Sequence, residues 1–118
     1  DANNQWEFLK HITYEGATKR YTTVTPELKE RIEKGEKINL VDVREQWEYD
    51  EANLGGILIP LQTLPHRLAE LEPLKEQEIL IHCRSGKRSD NAKKFLEQNG
   101  FTNVRNVLGG IVAYLELE

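Results

Sequence analysis

The chain alternates short apolar runs with longer segments in which apolar residues recur every three or four positions. Four of these runs are rich in β-branched or aliphatic residues, and we predict strands over residues 38–43, 57–59, 78–82 and 104–107. The first run is apolar at nearly every position, which is typical of a strand covered on both faces. The pattern therefore predicts a buried, mainly parallel sheet.

A helical pattern precedes the first long run. Thr25 before Pro26 is typical of a helix start, with the Thr hydroxyl as the N-cap acceptor and Pro in the first turn. Leu28 and Ile32 then share one face, and Gly35 ends the helix.

Three further segments between the strands are predicted to form helices or turns. Residues 44–52 form a short helix or turn, and residues 89–99 form a helix that ends at an Asn-Gly pair. Residues 64–71 repeat Leu at positions 64, 68 and 71, which predicts an amphipathic α-helix capped by Thr63 and closed by Pro73. Because strands and helices alternate, we predict an α/β fold whose ligand site lies at the carboxyl ends of the strands.

Composition narrows the function classes. The 118 residues include 20 acidic and 16 basic side chains, and the formal net charge of −4 argues against a general binder of nucleic acid or anionic membranes. No apolar run approaches the roughly 18 residues that a membrane-spanning helix needs. The chain begins at Asp1 rather than Met, as a processed protein or a piece of a longer one does. Separately, we expect a cytoplasmic location.

Candidate chemistry centres on Cys83, the one cysteine of the chain. A single cysteine excludes an internal disulfide, and the three histidines are far apart in sequence, so we expect no metal centre. Cys83 follows the predicted strand over residues 78–82 and begins a loop that opens a helix. Gly86 and the helix start leave backbone N–H groups that can form an anion-binding nest, and the helix dipole adds positive charge.

Three cations, Arg84, Lys87 and Arg88, follow the thiol within five residues. The nest of N–H groups, the helix dipole and these cations together lower a thiol pKa from about 8.5 toward roughly 3.5–7.5, so we predict that Cys83 is a thiolate at neutral pH and the catalytic nucleophile. Each cation either contacts an anionic substrate or lies in solvent at the helix start. The predicted substrate-binding loop comprises Arg84, Ser85, Gly86, Lys87, Arg88 and Ser89.

Residues beside the thiol are assigned structural roles. His82 points away from its neighbour Cys83 if the strand continues, so we expect a hydrogen-bonded structural histidine rather than a catalytic base. Asp42 and Arg44 close the first predicted strand, where they either pair or brace the neighbouring loop. We expect structural support from both.

These motifs resemble the rhodanese homology domain, from about residue 23 to residue 114. The matching pieces are Leu40-Val41-Asp42-Val43-Arg44-Glu45, Glu48-Tyr49, Gly56 before Ile59-Pro60, His82-Cys83-Arg84-Ser85-Gly86-Lys87-Arg88-Ser89, Gly100-Phe101 and Gly109-Gly110-Ile111. The resemblance implies a five-stranded parallel sheet with helices on both faces and a persulfide on Cys83. It places the domain at residues 23–118, with residues 1–22 as an N-terminal extension.

A narrower resemblance is to the rhodanese domain at the carboxyl end of adenylyltransferases that activate sulfur-carrier proteins. Residues 53–56, 58–61 and 64–71 are similar to that subgroup. Many of its members have His-Ile where Asn53-Leu54 stands, and Trp where Tyr114 stands. The chain contains no adenylyltransferase domain, so it is either the rhodanese domain excised from such an adenylyltransferase or a free-standing relative.

The resemblance implies a sulfurtransferase that needs no cofactor and moves sulfur from thiosulfate or a persulfide donor, through Cys83, to a nucleophilic acceptor. A sulfur-carrier protein is one candidate acceptor. A cysteine phosphatase or arsenate reductase on the same fold is an alternative, although phosphatases of this architecture have C-x5-R and here Arg88 follows after four residues, with Ser89 in the arginine position. A non-catalytic interaction module is the other alternative.

Overall fold

Five parallel strands form the sheet of this protein, for which a computed structural model describes residues 22–117. The strand order is β1-β5-β4-β2-β3, and every neighbouring pair is parallel. The strands are β1 (Thr22–Val24), β2 (Leu40–Asp42), β3 (Ile57–Leu58), β4 (Ile79–His82) and β5 (Val104–Leu108). The helices are α1 (Thr25–Glu33), α2 (Gln46–Glu51), α3 (Lys87–Gln98) and α4 (Gly110–Leu115). The predicted five-stranded parallel α/β fold is confirmed.

Successive residues of the inner strands pack into two separate cores, as the apolar runs predict. Val41, Ile79 and Ile81 contribute to the core that contains residues of α3, whereas Leu40 and Leu80 contribute to the core that contains residues of α1. Helices therefore cover both faces of the sheet. The strand order places β4 at the centre of the sheet, and the thiol of Cys83 follows it directly.

The segment predicted as an α-helix over residues 64–71 is instead a series of 3₁₀ turns, over Leu61–His66, Leu68–Glu70 and Glu72–Leu74. Pro65 lies inside the first turn and Pro73 inside the last, and neither can donate a helical hydrogen bond. Leucines nevertheless face the core, because three of their four spacings are three residues, which is the 3₁₀ repeat. These core-facing residues are Leu61, Leu64, Leu68, Leu71 and Leu74.

The predicted N-cap of the first helix is also corrected. Thr25 is already the first residue of α1, the N-cap is Val24, and no side chain caps this end. The strand β1 ends directly at Val24, so the chain passes from extended to helical geometry without a capping residue between them. Neither β1 nor α4 was predicted from the pattern, because each is short and neither has a run of apolar residues long enough to mark it.

Within residues 22–117, no helix has the length and apolar character required to span a membrane. The predicted N-terminal extension, apart from its last residue, lies outside the described residues, so its boundary stays a prediction.

Candidate active site

The thiol of Cys83 lies at the carboxyl end of the central strand, where the loop predicted to bind anions begins. Its side chain is buried, and Sγ accepts a hydrogen bond from the backbone N–H of Gly86 at 3.0 Å. The hydroxyl oxygen of Ser89, in the first turn of α3, lies 3.4 Å from the same sulfur. The loop therefore curls around the sulfur, as the nest prediction requires.

Contacts with α4 fix the direction of the first loop peptides. The N–H of Ile111 donates to the carbonyl of Cys83 at 3.0 Å, and the N–H of Val112 donates to the carbonyl of Arg84 at 3.1 Å. Because the N–H and C=O of a trans peptide point in opposite directions, the N–H of Ser85 turns away from α4 and toward the sulfur.

This close approach of α4 depends on Gly110. Its φ is +60°, and an added Cβ would lie 2.5 Å from the carbonyl oxygens of Cys83 and Arg84. Gly86 is the second glycine that the loop requires, because its φ of +116° turns its N–H toward the sulfur at the start of α3.

Two opposing effects set the pKa of Cys83. Burial raises the pKa, because the thiolate is poorly solvated in the interior. Hydrogen bonds from the Ser89 hydroxyl and from the N–H groups of Ser89, Gly86 and Ser85 stabilise the thiolate and outweigh burial, so the net pKa is lowered. The direction agrees with the prediction, and of the causes predicted the hydrogen bonds of the loop, rather than its cationic side chains, lower the pKa.

The three cations of the loop differ in their surroundings. Arg88 donates to both carboxylate oxygens of Glu48, at 2.7 and 2.8 Å, and so joins α3 to α2. Arg84 and Lys87 are exposed, and neither forms an ion pair with any residue between 22 and 117. Two of the three predicted substrate cations are therefore available to a solute anion, while the third is engaged by a carboxylate.

Asp42 and Arg44 form a buried ion pair beneath the loop. The Arg44 guanidinium donates to both carboxylate oxygens of Asp42, at 2.8 to 3.1 Å, and its other contacts are the carbonyls of Glu48 and Ala52. The pair thus ties the end of β2 to α2. This placement agrees with the supporting role expected of both residues.

His82 is fully buried beside this pair. Its Nδ1 lies 3.4 Å from the carbonyl oxygen of Cys83, and its Nε2 lies 3.8 Å from Asp42 Oδ2, beyond hydrogen-bond distance. Burial is the main cause of a lowered His82 pKa, and it outweighs the opposing effect of the Asp42 carboxylate. Only Nδ1 therefore has a hydrogen-bond partner among the described residues, so the expected hydrogen-bonded structural role is met at one of the two ring nitrogens.

Two residues near the thiol were not singled out from the sequence as site residues. Glu48 is buried and holds Arg88, and its pKa is lowered to about 2 chiefly by that hydrogen-bonded pairing. Asn106, on β5, is buried and contacts both Ser89 and Gly86. The one available signal for Asn106 was a polar residue inside an apolar strand, where a buried amide needs partners.

A groove of about 200 Å³ opens beside the loop, between α2 and α4. Arg84 lines it together with apolar residues, of which Trp47, Val112 and Leu115 are 59%, 40% and 52% exposed. Carboxylates of Glu48 and Glu51 also line it, the first of them paired with Arg88. An apolar surface thus reaches the residue next to the thiol.

The central strand of this parallel α/β sheet ends at a hydrogen-bonded thiol, and the loop that follows turns its N–H groups toward that thiol. These features define a class of proteins that hold a cysteine in an anion-binding loop. Residues 24–117 match the family model of the rhodanese-like domain, and the chain belongs to that family.

Curated relatives and solved structures agree with this assignment. The putative sulfur carrier protein YrkF of Bacillus subtilis is 34% identical over 113 residues, which cover 89% of this chain and 60% of YrkF. The putative sulfurtransferase YtwF of the same organism is 40% identical over 91 residues, covering 76% of this chain and 85% of YtwF. A rhodanese-like domain protein from Staphylococcus aureus superposes with a TM-score of 0.72 at 32% identity, covering 80% of this chain and 90% of that one.

Two further relatives have names that specify a reaction. The thiosulfate sulfurtransferase PspE of Escherichia coli is 34% identical over 70 residues, covering 58% of this chain and 67% of PspE. The probable adenylyltransferase/sulfurtransferase MoeZ of Mycobacterium tuberculosis is 30% identical over 95 residues, covering 79% of this chain and 24% of MoeZ. Sulfurtransferases are therefore among the homologues of this chain.

Proposed function

We propose that this protein is a sulfurtransferase that carries sulfane sulfur as a persulfide on Cys83. The observation that carries the proposal is the hydrogen-bonded sulfur at the start of α3, with the Gly86 N–H at 3.0 Å, in a chain whose homologues include sulfurtransferases. N–H groups aimed at Sγ stabilise the thiolate before the reaction and the leaving thiolate after it.

The reaction has two displacement steps. In the first, the Cys83 thiolate attacks the outer sulfur of thiosulfate, the S–S bond of thiosulfate breaks, and its electron pair leaves with sulfite. In the second, a nucleophile attacks the outer sulfur of the persulfide and releases the Cys83 thiolate. No electrons are gained or lost overall, because each step exchanges one bond to sulfur for another.

Donor capture is assigned to the loop. Thiosulfate is a dianion, and Arg84 and Lys87 are the loop cations that no carboxylate within residues 22–117 neutralises. The N–H groups of the loop complete an anion site. Ser85 and Gly86 contribute to it through their backbone N–H groups, and Ser89 contributes through both its hydroxyl and its N–H. Arg88 contributes through its charge and through its pairing with Glu48, which holds the start of α3.

Loop length favours sulfur transfer over phosphate-ester hydrolysis. Six residues from Cys83 to Arg88 form a tighter ring than the C-x5-R loop of phosphatases, and the position that needs arginine is the buried Ser89. Arg88, the nearest arginine, already donates to both carboxylate oxygens of Glu48. We therefore infer that a single sulfur atom is transferred and that phosphatase activity is negligible.

A protein acceptor is also part of the proposal. A relative is named a sulfur carrier protein and another an adenylyltransferase/sulfurtransferase, and here the apolar groove between α2 and α4 adjoins the thiol loop. A groove of that kind suits the tail of a small sulfur-carrier protein, because an extended chain can lie along it and present its terminus to the persulfide. For a carrier terminus activated as an acyl adenylate, the outer sulfur of the persulfide is the nucleophile: it attacks the terminal carbonyl carbon and AMP leaves. A thiol reductant then supplies the two electrons that cleave the S–S bond, which releases the thiocarboxylate and the Cys83 thiol.

Intact mass spectrometry after incubation with thiosulfate tests the central proposal. We expect one added sulfur atom, which cyanide removes as thiocyanate, and no addition in the Cys83→Ser variant. Cys83 is the only cysteine, so any added sulfane sulfur reports on this residue alone. An unmodified wild-type chain with any sulfane donor would favour the interaction module, and Cys83-dependent hydrolysis of an aryl phosphate at a comparable rate would favour the phosphatase.

A further inference from the structure

The orientation of the Asn106 amide follows from its two neighbours. Asn106 is 6% exposed, its Nδ2 lies 3.2 Å from the carbonyl oxygen of Gly86, and its Oδ1 lies 2.6 Å from the hydroxyl oxygen of Ser89. A carbonyl oxygen can only accept, so the amide nitrogen must face Gly86. The amide oxygen therefore faces Ser89 as an acceptor.

The hydroxyl of Ser89 has one proton and three acceptors within reach. They are Asn106 Oδ1 at 2.6 Å, the carbonyl oxygen of Gly86 at 3.1 Å and Cys83 Sγ at 3.4 Å. Two oxygens only 2.6 Å apart require a proton between them, and Asn106 Oδ1 has none to give, so the Ser89 proton lies on that line.

This arrangement suits one ionisation state of the thiol. When the Ser89 hydroxyl donates a hydrogen bond to Asn106 Oδ1, its oxygen presents a lone pair to the sulfur. A neutral S–H group can donate a hydrogen bond to that lone pair. A thiolate needs the opposite polarity, because it can only accept. Rotation of the hydroxyl about the Cβ–Oγ bond supplies that polarity, at the expense of the bond to Asn106.

We propose that Asn106 is a positioning residue of the site, whose amide oxygen competes with Cys83 Sγ for the single proton of the Ser89 hydroxyl. Asn106 acts through Ser89 and does not touch the sulfur. When the thiol loses its proton to solvent, the Ser89 hydroxyl turns from Asn106 to the thiolate. The inference rests on Cys83 being the reacting group of the proposed function, but not on the donor or the acceptor.

Other titratable or charged groups lie around the thiol loop, and the test must hold them constant. They are His82 on β4, Asp42 on β2, Glu48 on α2, Arg84 in the loop, and Lys87 and Arg88 on α3. Substitutions of Asn106 and Ser89 by apolar residues change no charge, so these groups contribute equally to every protein compared.

The experiment is a double-mutant cycle with Asn106→Leu and Ser89→Ala, read by pH titration of the thiolate ultraviolet absorbance and of the iodoacetamide alkylation rate. Leu is close in size to Asn and removes the competing oxygen, leaving the more distant Gly86 carbonyl, which also accepts from the Asp90 N–H at 3.1 Å. We expect Asn106→Leu to lower the Cys83 pKa by about 0.5–1 pH unit, the value of one net hydrogen bond. Ser89→Ala alone should raise that pKa, since it deletes the donor.

The decisive quantity is a difference between two changes in the Cys83 pKa. It is the change that Asn106→Leu causes in the protein that retains Ser89, minus the change that it causes in the Ser89→Ala background. A fall confined to the proteins that retain Ser89 supports the proposal. A rise in pKa, or the same change in both backgrounds, means that Asn106 only orders the loop and overturns it. Asn106→Ala serves as the second variant if Leu does not fold, and far-ultraviolet circular dichroism checks the fold.

The titration uses no sulfur donor. A chain that fails to transfer sulfur therefore still reports the competition, so failure of the proposed function and failure of this inference are distinguishable.

Discussion

Arg84 and Lys87 are exposed beside the thiol without a carboxylate partner within residues 22–117, so their charge is available to a donor anion. We expect Lys87→Ala or Arg84→Ala to raise the KM for thiosulfate about 2- to 5-fold, the effect of one exposed charge, and to weaken its salt dependence. Steady-state kinetics at several ionic strengths measure both effects.

Lys37 provides the matched control for that prediction. It also has no ion pair with a residue of the described range, but it precedes β2, at the end of the sheet opposite the thiol. Lys37→Ala should leave KM unchanged. A fall in kcat alone for the loop variants, with KM and salt response intact, would give those side chains a transition-state role instead.

Gly110→Ala is predicted to damage both stability and the thiol. An added Cβ meets the carbonyls of Cys83 and Arg84 at 2.5 Å, so α4 must move away and release the peptides that direct the Ser85 N–H to the sulfur. We expect a loss of several kcal/mol in unfolding free energy and a raised thiol pKa, measured by urea unfolding and thiolate titration. Gly35→Ala, with φ +73° and open space around it, should lose only about 1–2 kcal/mol and leave the thiol unchanged.

At the scale of single residues, the sequence indicated the candidate site but not the contacts that surround it. Cys83 could be located because a lone thiol between a buried strand and a helix start is visible in the order of residues. The partners of Arg88 and Ser89 could not, because Glu48 and Asn106 lie 40 and 17 positions away and are brought near only by the fold. The lowered thiol pKa was therefore predicted in direction and, for the loop N–H groups, in cause, whereas the contribution of the Ser89 hydroxyl was not predicted.

The ion pair of Glu48 and Arg88 links α2 to α3 and should stabilise the protein in a pH-dependent way. Hydrogen bonding to Arg88 lowers the Glu48 pKa from 4.5 to about 2, so the folded state favours the carboxylate. This contribution is complete above pH 4.5 and is lost as the pH falls toward 2. We expect Glu48→Gln to lower the unfolding free energy by about 1–3 kcal/mol at about pH 6, with the difference from wild type shrinking as the pH falls from about 4.5 to about 2.5.

Urea unfolding across that pH range measures the prediction, and Glu70→Gln is its control. Glu70 pairs with Arg67 on the surface, where a single ion pair contributes little. A Glu48→Gln deficit that stays constant across the same range would show that packing, rather than ionisation, holds α2 against α3.

Helices and strands were predictable from the sequence wherever they bury apolar residues in a regular pattern. The runs over β2 and β4 and the stripe of α3 predicted their structures, because each buries apolar residues on a regular face. The leucines of residues 64–71 were assigned the wrong helix type, since spacings of three and four residues fit both repeats over so short a segment. Proline decided between them, by removing the hydrogen-bond donors that an α-helix would use.

On the scale of the whole molecule, the parallel sheet brings the ends of β2 and β4 to one edge, and the thiol loop, α2 and α4 meet there. Under the proposed function, a small anion needs to contact only the loop, whereas a protein acceptor must also contact the surface around it. The groove with Trp47, Val112 and Leu115 is the apolar part of that surface. Transfer to a protein and transfer to cyanide should therefore depend on different residues.

We expect Trp47→Ala or Leu115→Ser to reduce sulfur transfer to a sulfur-carrier protein about tenfold or more, since a buried aromatic or aliphatic anchor contributes about 1–2 kcal/mol or more to an interface. Thiosulfate:cyanide transfer should stay at the wild-type level, because neither side chain contacts the loop sulfur. The measurement supplies the persulfidated protein with a carrier activated as an acyl adenylate, adds a thiol reductant to release the product, and follows, by mass spectrometry, replacement of oxygen by sulfur at the carrier terminus. Ile57→Ser, which alters an apolar side chain of similar exposure (47%) on β3, should change neither reaction. Equal losses in both reactions would mean that these residues act in the chemistry rather than in docking. If the protein transfers sulfur readily to cyanide or small thiols but to no carrier, it is a general sulfurtransferase without the carrier role.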